Sequence, residues 1–493
     1  MTSFELVIRN AVAVTAADTM RCDIGISGGR IVALAEHLPQ GNREIDARGR
    51  YVLPGGIDAH CHLDQPMPEP MKMADDFESG TRSAACGGTT TVIPFAAQAK
   101  GHSLESAVDD YHRRAAGKAH IDYAFHLIVS DPTTNVLEHE LPRLIREGYT
   151  SFKIYMTYDD LKLSDREILE VLDVARREGA MAMVHAENSD CIAWLTDRLL
   201  AQGHTSPRYH AAARPMPVER EATHRAITFS ELVDVPILIV HVSGAEAIEQ
   251  IRWARGRGLR IFAETCPQYL FLTADDLALE GFHGAKFVCS PPPRDKANQE
   301  IVWDGLVDGL FTVFSSDHAP FSYDDPRGKR LGGKDAEFPY IPNGIPGLET
   351  RLPLFFSEGV GKGRISISRF VELTATNPAK LYGLYPRKGT IAIGADADLV
   401  IWDCDQDVVI ENSRLHHAVD YTPYEGMRVS AWPAITLSRG EVVWADGKVQ
   451  ARPGRGQFLV CGRPEPAALP PRLGRAAEAP ARPQARRGAP VAS

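Results

Sequence analysis

The stretch YVLPGGIDAHCH, residues 51–62, sets a short apolar run against two histidines one residue apart. In an extended chain alternate side chains point the same way, so His60 and His62 face one point and Cys61 faces away. Neutral imidazole is a good ligand for zinc and related ions. The pair alone carries little weight. The chain has 17 histidines, so about one His-x-His is expected by chance, and two histidines at a strand end need no metal. The reading turns on whether the run at 51–57 is one of a series.

Runs of the same character recur at 89–95 (TTTVIPF), 121–129 (IDYAFHLIV), 151–156 (SFKIYM), 180–186 (AMAMVHA), 235–242 (VPILIVHV), 259–265 (LRIFAET) and 311–317 (FTVFSSD). Amphipathic stretches separate them. SDREILEVLDVARREG (164–179) opens on a Ser-x-x-Glu capping box and ends on glycine, and 218–233 and 244–258 have the same helical pattern. Alternating strands and helices imply a parallel sheet. Eight of them predict a (β/α)8 TIM-type barrel over 51–385. The flanks, 1–50 and 386–460, read instead as short strands joined by turns, as in CDIGISGGRIVAL and AITLSRGEVVWADGKV. They predict a small β-sandwich domain built from both chain ends. Residues 461–493 are rich in Pro, Ala and Arg and lack aromatics, which predicts a disordered tail, with a basic interaction tail as the alternative.

Composition narrows the function. The chain is 44% hydrophobic and 24% charged, ordinary for a soluble globular protein, and its net charge of −10 argues against a nucleic-acid surface. The start, MTSFELVIRNAVAV, has no positive n-region and carries Glu5, so no signal peptide is expected. The apolar runs are too short to span a bilayer. Eight cysteines without a C-x-x-C fit a reducing cytoplasm.

Active sites of such barrels form at the C-terminal ends of the strands. The first predicted strand ends in His60 and His62, the fifth in His185, the sixth in His241 and the eighth in Asp317, while the fourth carries Lys153. Each has an ordinary reading on its own: a satisfied strand-end histidine, or an aspartate capping the next helix. Lys153 is harder to set aside, because an unpaired buried lysine is costly. Desolvation lowers its pKa and makes the neutral amine accessible. A neutral amine adds carbon dioxide to give a carbamate, whose two oxygens can bridge two cations. The set then reads as a binuclear metal site, with His60, His62 and Asp317 on one ion, His185 and His241 on the other, and the Lys153 carbamate shared.

The segments PGGIDAHCH, FKIYMTY, MVHAEN, LIVHVSG, SSDHAPF and GTIAIGADADLVIWD resemble the amidohydrolase superfamily and, within it, the dihydropyrimidinase/hydantoinase family of cyclic amidases. The resemblance implies two divalent ions, zinc by analogy, bridged by Lys153 as N6-carboxylysine. It implies hydrolytic ring opening of dihydropyrimidines or 5-substituted hydantoins to N-carbamoyl amino acids by a metal-bridging hydroxide, as in pyrimidine catabolism, with Asp317 carrying the proton. Tyr158, five residues after Lys153, would hold the developing oxyanion. Ser290 in CSPPPRD and Asn343 in IPNGIPGLETRL would contact the ring amide mainly through backbone groups. Without the resemblance these three read as a core tyrosine and polar, proline-rich turns. A homotetramer is implied by the same analogy.

Two other cyclic amidohydrolases and a non-catalytic relative remain as alternatives. Dihydroorotase-like sequences carry an arginine just after the His-x-His, where Leu63-Asp64-Gln65 stand here. Allantoinase-like ones show Asn-Glu-Pro there and lack the counterpart of Tyr158. The dihydropyrimidinase-related scaffolds have lost metal ligands, and all six are present here. The loop LDQPMPEPMKMADDF (63–77) departs from the commoner family pattern. Its Met67, Met71 and Met73 suit an apolar or aromatic group on the substrate ring; the alternative is a loop packed on a neighbouring subunit.

Overall fold

Gly55 and Gly56 divide the run 51–57 between two sheets. In the computed structural model, which describes residues 4–468, Tyr51–Pro54 lies parallel to Val12 and Ala13 and antiparallel to Leu399–Ile401, in the sheet made by the chain ends. Gly56–Cys61 pairs in parallel with Thr89–Ala97 as the first barrel strand. The expectation of a single first strand over 51–57 is therefore corrected. The crossing point is too crowded for a side chain: a Cβ on Gly55 would lie 2.1 Å from Thr90 Oγ1.

Seven more parallel strands follow in order: Thr89–Ala97, His126–Ile128, Ser151–Tyr155, Met181–His185, Ile237–Ile239, Ile261–Thr265 and Val313–Phe314. The run 121–129 is interrupted and contributes Asp122–Tyr123 as a separate short strand. Between the eighth strand and the first, closure is by a single parallel bridge, Cys61 with His318. The Arg351 guanidinium reinforces it by donating to Ile57 O (3.2 Å) and Phe314 O (2.7 Å). Both faces of the strands are covered, as in Ser151–Tyr155 and Met181–His185, where every residue is buried. Full burial on both faces is why these strands read as continuous apolar runs rather than alternating ones. Ile57, Phe95, Met183 and Leu238 fill the barrel interior.

The helices follow their sequence signals. Asp165–Glu178 starts with the Ser164/Glu167 capping box and stops at Gly179 with φ +76°. Its buried residues Ile168, Val171, Leu172 and Ala175 recur at the three-to-four spacing of one helix face. The chain ends form one mixed nine-stranded sheet in which Tyr51–Pro54 lies between Leu6–Val14 and Leu399–Asp403. The buried Lys388 ammonium ties this region to the barrel, reaching Asp122 (2.7 Å) and Asp398 (2.6 Å).

The expected tail starts too early. Cys461 donates its N–H to Gly148 O, Gly462 donates to Gly383 O, and a short helix follows at Glu465–Ala468 with Pro466 and Ala467 buried. Backbone hydrogen bonds to the barrel order this stretch despite its composition. The remainder of the predicted tail, 469–493, lies outside the described residues. Among the described residues no helix is long and apolar enough to cross a membrane.

Candidate active site

The six strand-end residues converge at one mouth of the barrel. His60 Nε2 lies 2.8 Å from Lys153 Nζ and 3.1 Å from Asp317 Oδ1. His62 Nε2 is 3.5 Å from the same Asp317 oxygen, and His185 Nδ1 is 2.9 Å from His241 Nε2. His60 and His241 bring their rings to 5.4 Å, which joins the two halves. The strands aim these groups, but the last turn is made by strained backbone. His241, Asp317 and Tyr158 are non-glycine residues with φ of +39°, +48° and +69°. Such φ values are held only by surrounding structure and recur at functional sites.

Three of the four histidines have a partner for the ring nitrogen that faces away from this point, while His241 Nδ1 is buried without one among the described residues. His60 Nδ1 meets Glu264 Oε2 at 2.6 Å, His62 Nδ1 meets Gln65 Oε1 at 2.7 Å, and His185 Nε2 meets Glu187 Oε2 at 2.8 Å. When the outer nitrogen donates its hydrogen, the inner one presents a lone pair. The donor set therefore fits metal ions: inward lone pairs from imidazoles, one carboxylate, and orienting partners behind them. His60, His241 and Asp317 offer ligand atoms all within 4.8 Å of one another.

Electrostatics agrees with this arrangement. Burial lowers the Lys153 amine to about 8, against the opposing pull of Asp317 and Glu264. Burial also keeps His60 and His241 neutral, well below the ordinary histidine value. Burial alone would raise the Asp317 carboxyl, but His60, His62, His241 and Lys153 reverse this and hold it well below the usual carboxylate range. Glu187 is likewise held ionised against its burial, by the Arg214 guanidinium at 2.8 Å and by His185.

Above these groups opens a cavity of about 920 Å3 lined by Tyr158, Ser290 and Asn343 among others. Asn343 Nδ2 points at Tyr158 Oη from 3.4 Å, and the Arg214 guanidinium lies 5.6 Å from the Tyr158 ring centre. Met67, Met71 and Met73 also line the cavity, and they pack with Ala319 and Phe321. The methionine loop thus forms a wall of the cavity within one chain.

Glu264, Glu187 and Gln65 were not singled out from the sequence. Glu264 carries the signal that marked Lys153, a charged residue inside an apolar strand run. Glu187 shares with His185 the side-to-side alternation that paired His60 with His62. A second grouping of potential ligands, Cys86, Glu349 and His416, lies outside the cavity. There Glu349 already accepts both the backbone N–H and the Nδ1–H of His416, at 2.8 and 2.9 Å. That pair ties the 410–420 segment to the barrel.

Residues 51–443 match the model of the amidohydrolase family, and the chain belongs to that family, which is metal-dependent. Within it, the chain is 48% identical to a D-hydantoinase from Geobacillus stearothermophilus, over 92% of this chain and 95% of that protein. It is 45% identical to a D-hydantoinase from Ralstonia pickettii, over 92% and 98% of the two chains. It also superposes on the crystal structure of dihydropyrimidinase from Brevibacillus agri NCHU1002 with a TM-score of 0.90. That match has 43% identity and covers 93% of this chain and 99% of the other.

Proposed function

We propose that this protein is a hydrolase that opens cyclic amides, dihydropyrimidines or 5-substituted hydantoins of the D form, to N-carbamoyl amino acids. One observation carries the reading: four imidazoles, Lys153 and Asp317 meet beneath Tyr158 at the floor of an otherwise largely apolar cavity. His60, His62 and Asp317 would hold one divalent ion and His185 and His241 a second, with the carbamate of Lys153 between them; zinc suits this donor set. Bound ions would lower the pKa of a water between them and polarise the ring carbonyl.

The chain's own groups do the rest. Tyr158 donates from Oη to the carbonyl oxygen as it gains charge. Asp317 accepts a proton from the attacking water and returns it to the ring nitrogen as the C–N bond breaks. Ser290 and Asn343, which lie beside Tyr158, orient the ring amide. The methionine wall takes the exocyclic group, and thioether side chains adapt to varied apolar shapes. We also propose a cytoplasmic homotetramer. All eight cysteines are unpaired, and helix Ser189–Ala201 buries none of its side chains and leaves Trp194 exposed, which suits an interface.

The test is turnover of dihydrouracil, hydantoin, both hands of phenylhydantoin, allantoin and dihydroorotate by metal-loaded protein, with elemental analysis of the same sample. D-phenylhydantoin or dihydrouracil should lead, with about two divalent ions per chain. Preference for allantoin or dihydroorotate would replace the substrate assignment. Well under one equivalent of metal, with activity indifferent to chelation, would overturn the binuclear reading. Tyr158→Phe should lower kcat by roughly 10²–10³-fold, the scale of one lost oxyanion donor, and leave metal content unchanged. Wild-type kcat in that variant would make Tyr158 a packing residue.

A further inference from the structure

Lys329 is buried to 0% exposure, in the segment that follows the eighth strand and forms a cavity wall through Leu331, Gly332 and Tyr340. Among the described residues it makes no ion pair, and Cys289 and His210 are titratable groups near enough to interact with it. Its Nζ instead donates to two backbone carbonyls, Val288 O at 2.8 Å and Pro342 O at 2.7 Å. Burial pushes the amine down to about 7, yet both the charged and the neutral form have N–H groups for both oxygens. An apolar side chain would fill the same space without the desolvation cost, so the two carbonyls are what this lysine serves.

Those carbonyls sit beside the ring-contact residues. Pro342 C=O and Asn343 N–H belong to one peptide group, and a hydrogen bond to the carbonyl of an amide polarises its N–H. Val288 O lies two residues before Ser290 and also accepts Gly344 N–H at 3.0 Å, so one oxygen joins both loops. Lys329 fastens its own segment as well, through its backbone N–H to Ser322 O at 2.8 Å. That turn is tight: a Cβ on Gly328 would fall 2.1 Å from Ser322 O.

We propose that Lys329 is a positioning residue for the substrate ring: it clamps the backbone at Val288 and Pro342, sets the separation of Ser290 and Asn343, and strengthens the Asn343 N–H as a donor. The proposal rests on the ring-opening reading. It predicts an effect on ring binding rather than on the bond-breaking step, because Lys329 contacts none of the six metal-site residues in the hydrogen bonds it makes.

The experiment compares the metal-loaded wild type with Lys329→Met, which removes the donors, and Lys329→Gln, which keeps a shorter one. Metal content, kcat and KM for the best cyclic ureide are measured, together with amide hydrogen exchange across 286–291 and 341–345. Lys329→Met should keep its metal and a kcat within about threefold of wild type, while KM rises about tenfold or more, the scale of lost hydrogen bonds to a charged donor. Exchange should quicken in both segments, with Lys329→Gln between the two. Unchanged KM in a folded, metal-loaded variant would overturn the proposal, as would a loss confined to kcat. If Lys329→Met does not fold, Lys329→Gln against wild type decides on the same criteria. If the wild type opens none of the ureides, the ring-opening reading fails by itself. Exchange then judges the clamp alone, and unchanged rates in both segments reject it.

Discussion

Lys153→Ala is expected to lose its bound metal and to fall in activity by about 10⁴-fold, the ~5 kcal/mol scale of transition-state stabilisation that goes with the ions. The side chain is buried, its amine lies 2.8 Å from His60 Nε2, and burial lowers it to about 8. An ammonium cannot bind a metal, but the neutral amine can take up carbon dioxide. Lys153→Arg should fail equally, because a guanidinium stays cationic and forms no carbamate. The space left by alanine should admit a small carboxylic acid. Acetate or propionate with zinc should therefore restore metal content and part of the turnover in a saturable way. If Lys153 were instead a cation that binds substrate or pairs with Asp317, a short amine would rescue and a carboxylate would not. Labelled bicarbonate gives a readout independent of turnover: wild type should show one carbamate carbon per chain by NMR, and Lys153→Ala none.

Asp317→Asn should lower kcat by roughly 10²–10⁴-fold, the range for a lost general acid–base. The position has φ +48°, which asparagine tolerates as well as aspartate does, so the backbone should hold and the loss should be chemical. The carboxylate is kept ionised by the imidazoles around it, and the amide removes both that charge and the site that carries the proton. Weaker metal binding should accompany the loss, because Oδ1 faces His60 Nε2 at 3.1 Å and His62 Nε2 at 3.5 Å. Titrating zinc to saturation separates the two effects. A kcat within tenfold of wild type at full metal occupancy would remove Asp317 from the proton-transfer role.

The eight parallel strands and the six converging residues could be read from the sequence for one reason. A strand buried on both faces leaves an unbroken apolar run, and a polar group at its end stands out. The same signal cannot say which sheet a run joins. Tyr51–Pro54 and Gly56–Cys61 are separated only by Gly55, so they read as one. Val313–Phe314 is two residues long because the barrel closes there by side-chain and backbone bridging rather than by a ladder. Glu264 takes its role from His60, 204 residues away in sequence, and Glu187, though only two residues from its partner His185, is one acidic residue among many on the chain. Lys329 sits in a polar loop, where nothing in the pattern marks a buried amine. Composition misled at 461–468, where the ordering comes from carbonyls of Gly148 and Gly383 that are distant in sequence.

The placement of Tyr51–Pro54 between Leu6–Val14 and Leu399–Asp403 has a consequence for how the chain emerges during synthesis. The strand that leads directly into His60 keeps one edge unpaired until residues near 400 have been made, after all eight barrel strands. Non-local pairing of this kind is slow and leaves an exposed edge while it waits. The N-terminal strands can form early, but the segment that delivers the first histidine is fixed last. A chain cut short before Leu399 would carry all six converging residues and Tyr51–Pro54 itself, but not the strand that pairs with its second edge, so the segment leading into His60 and His62 would be held from one side only.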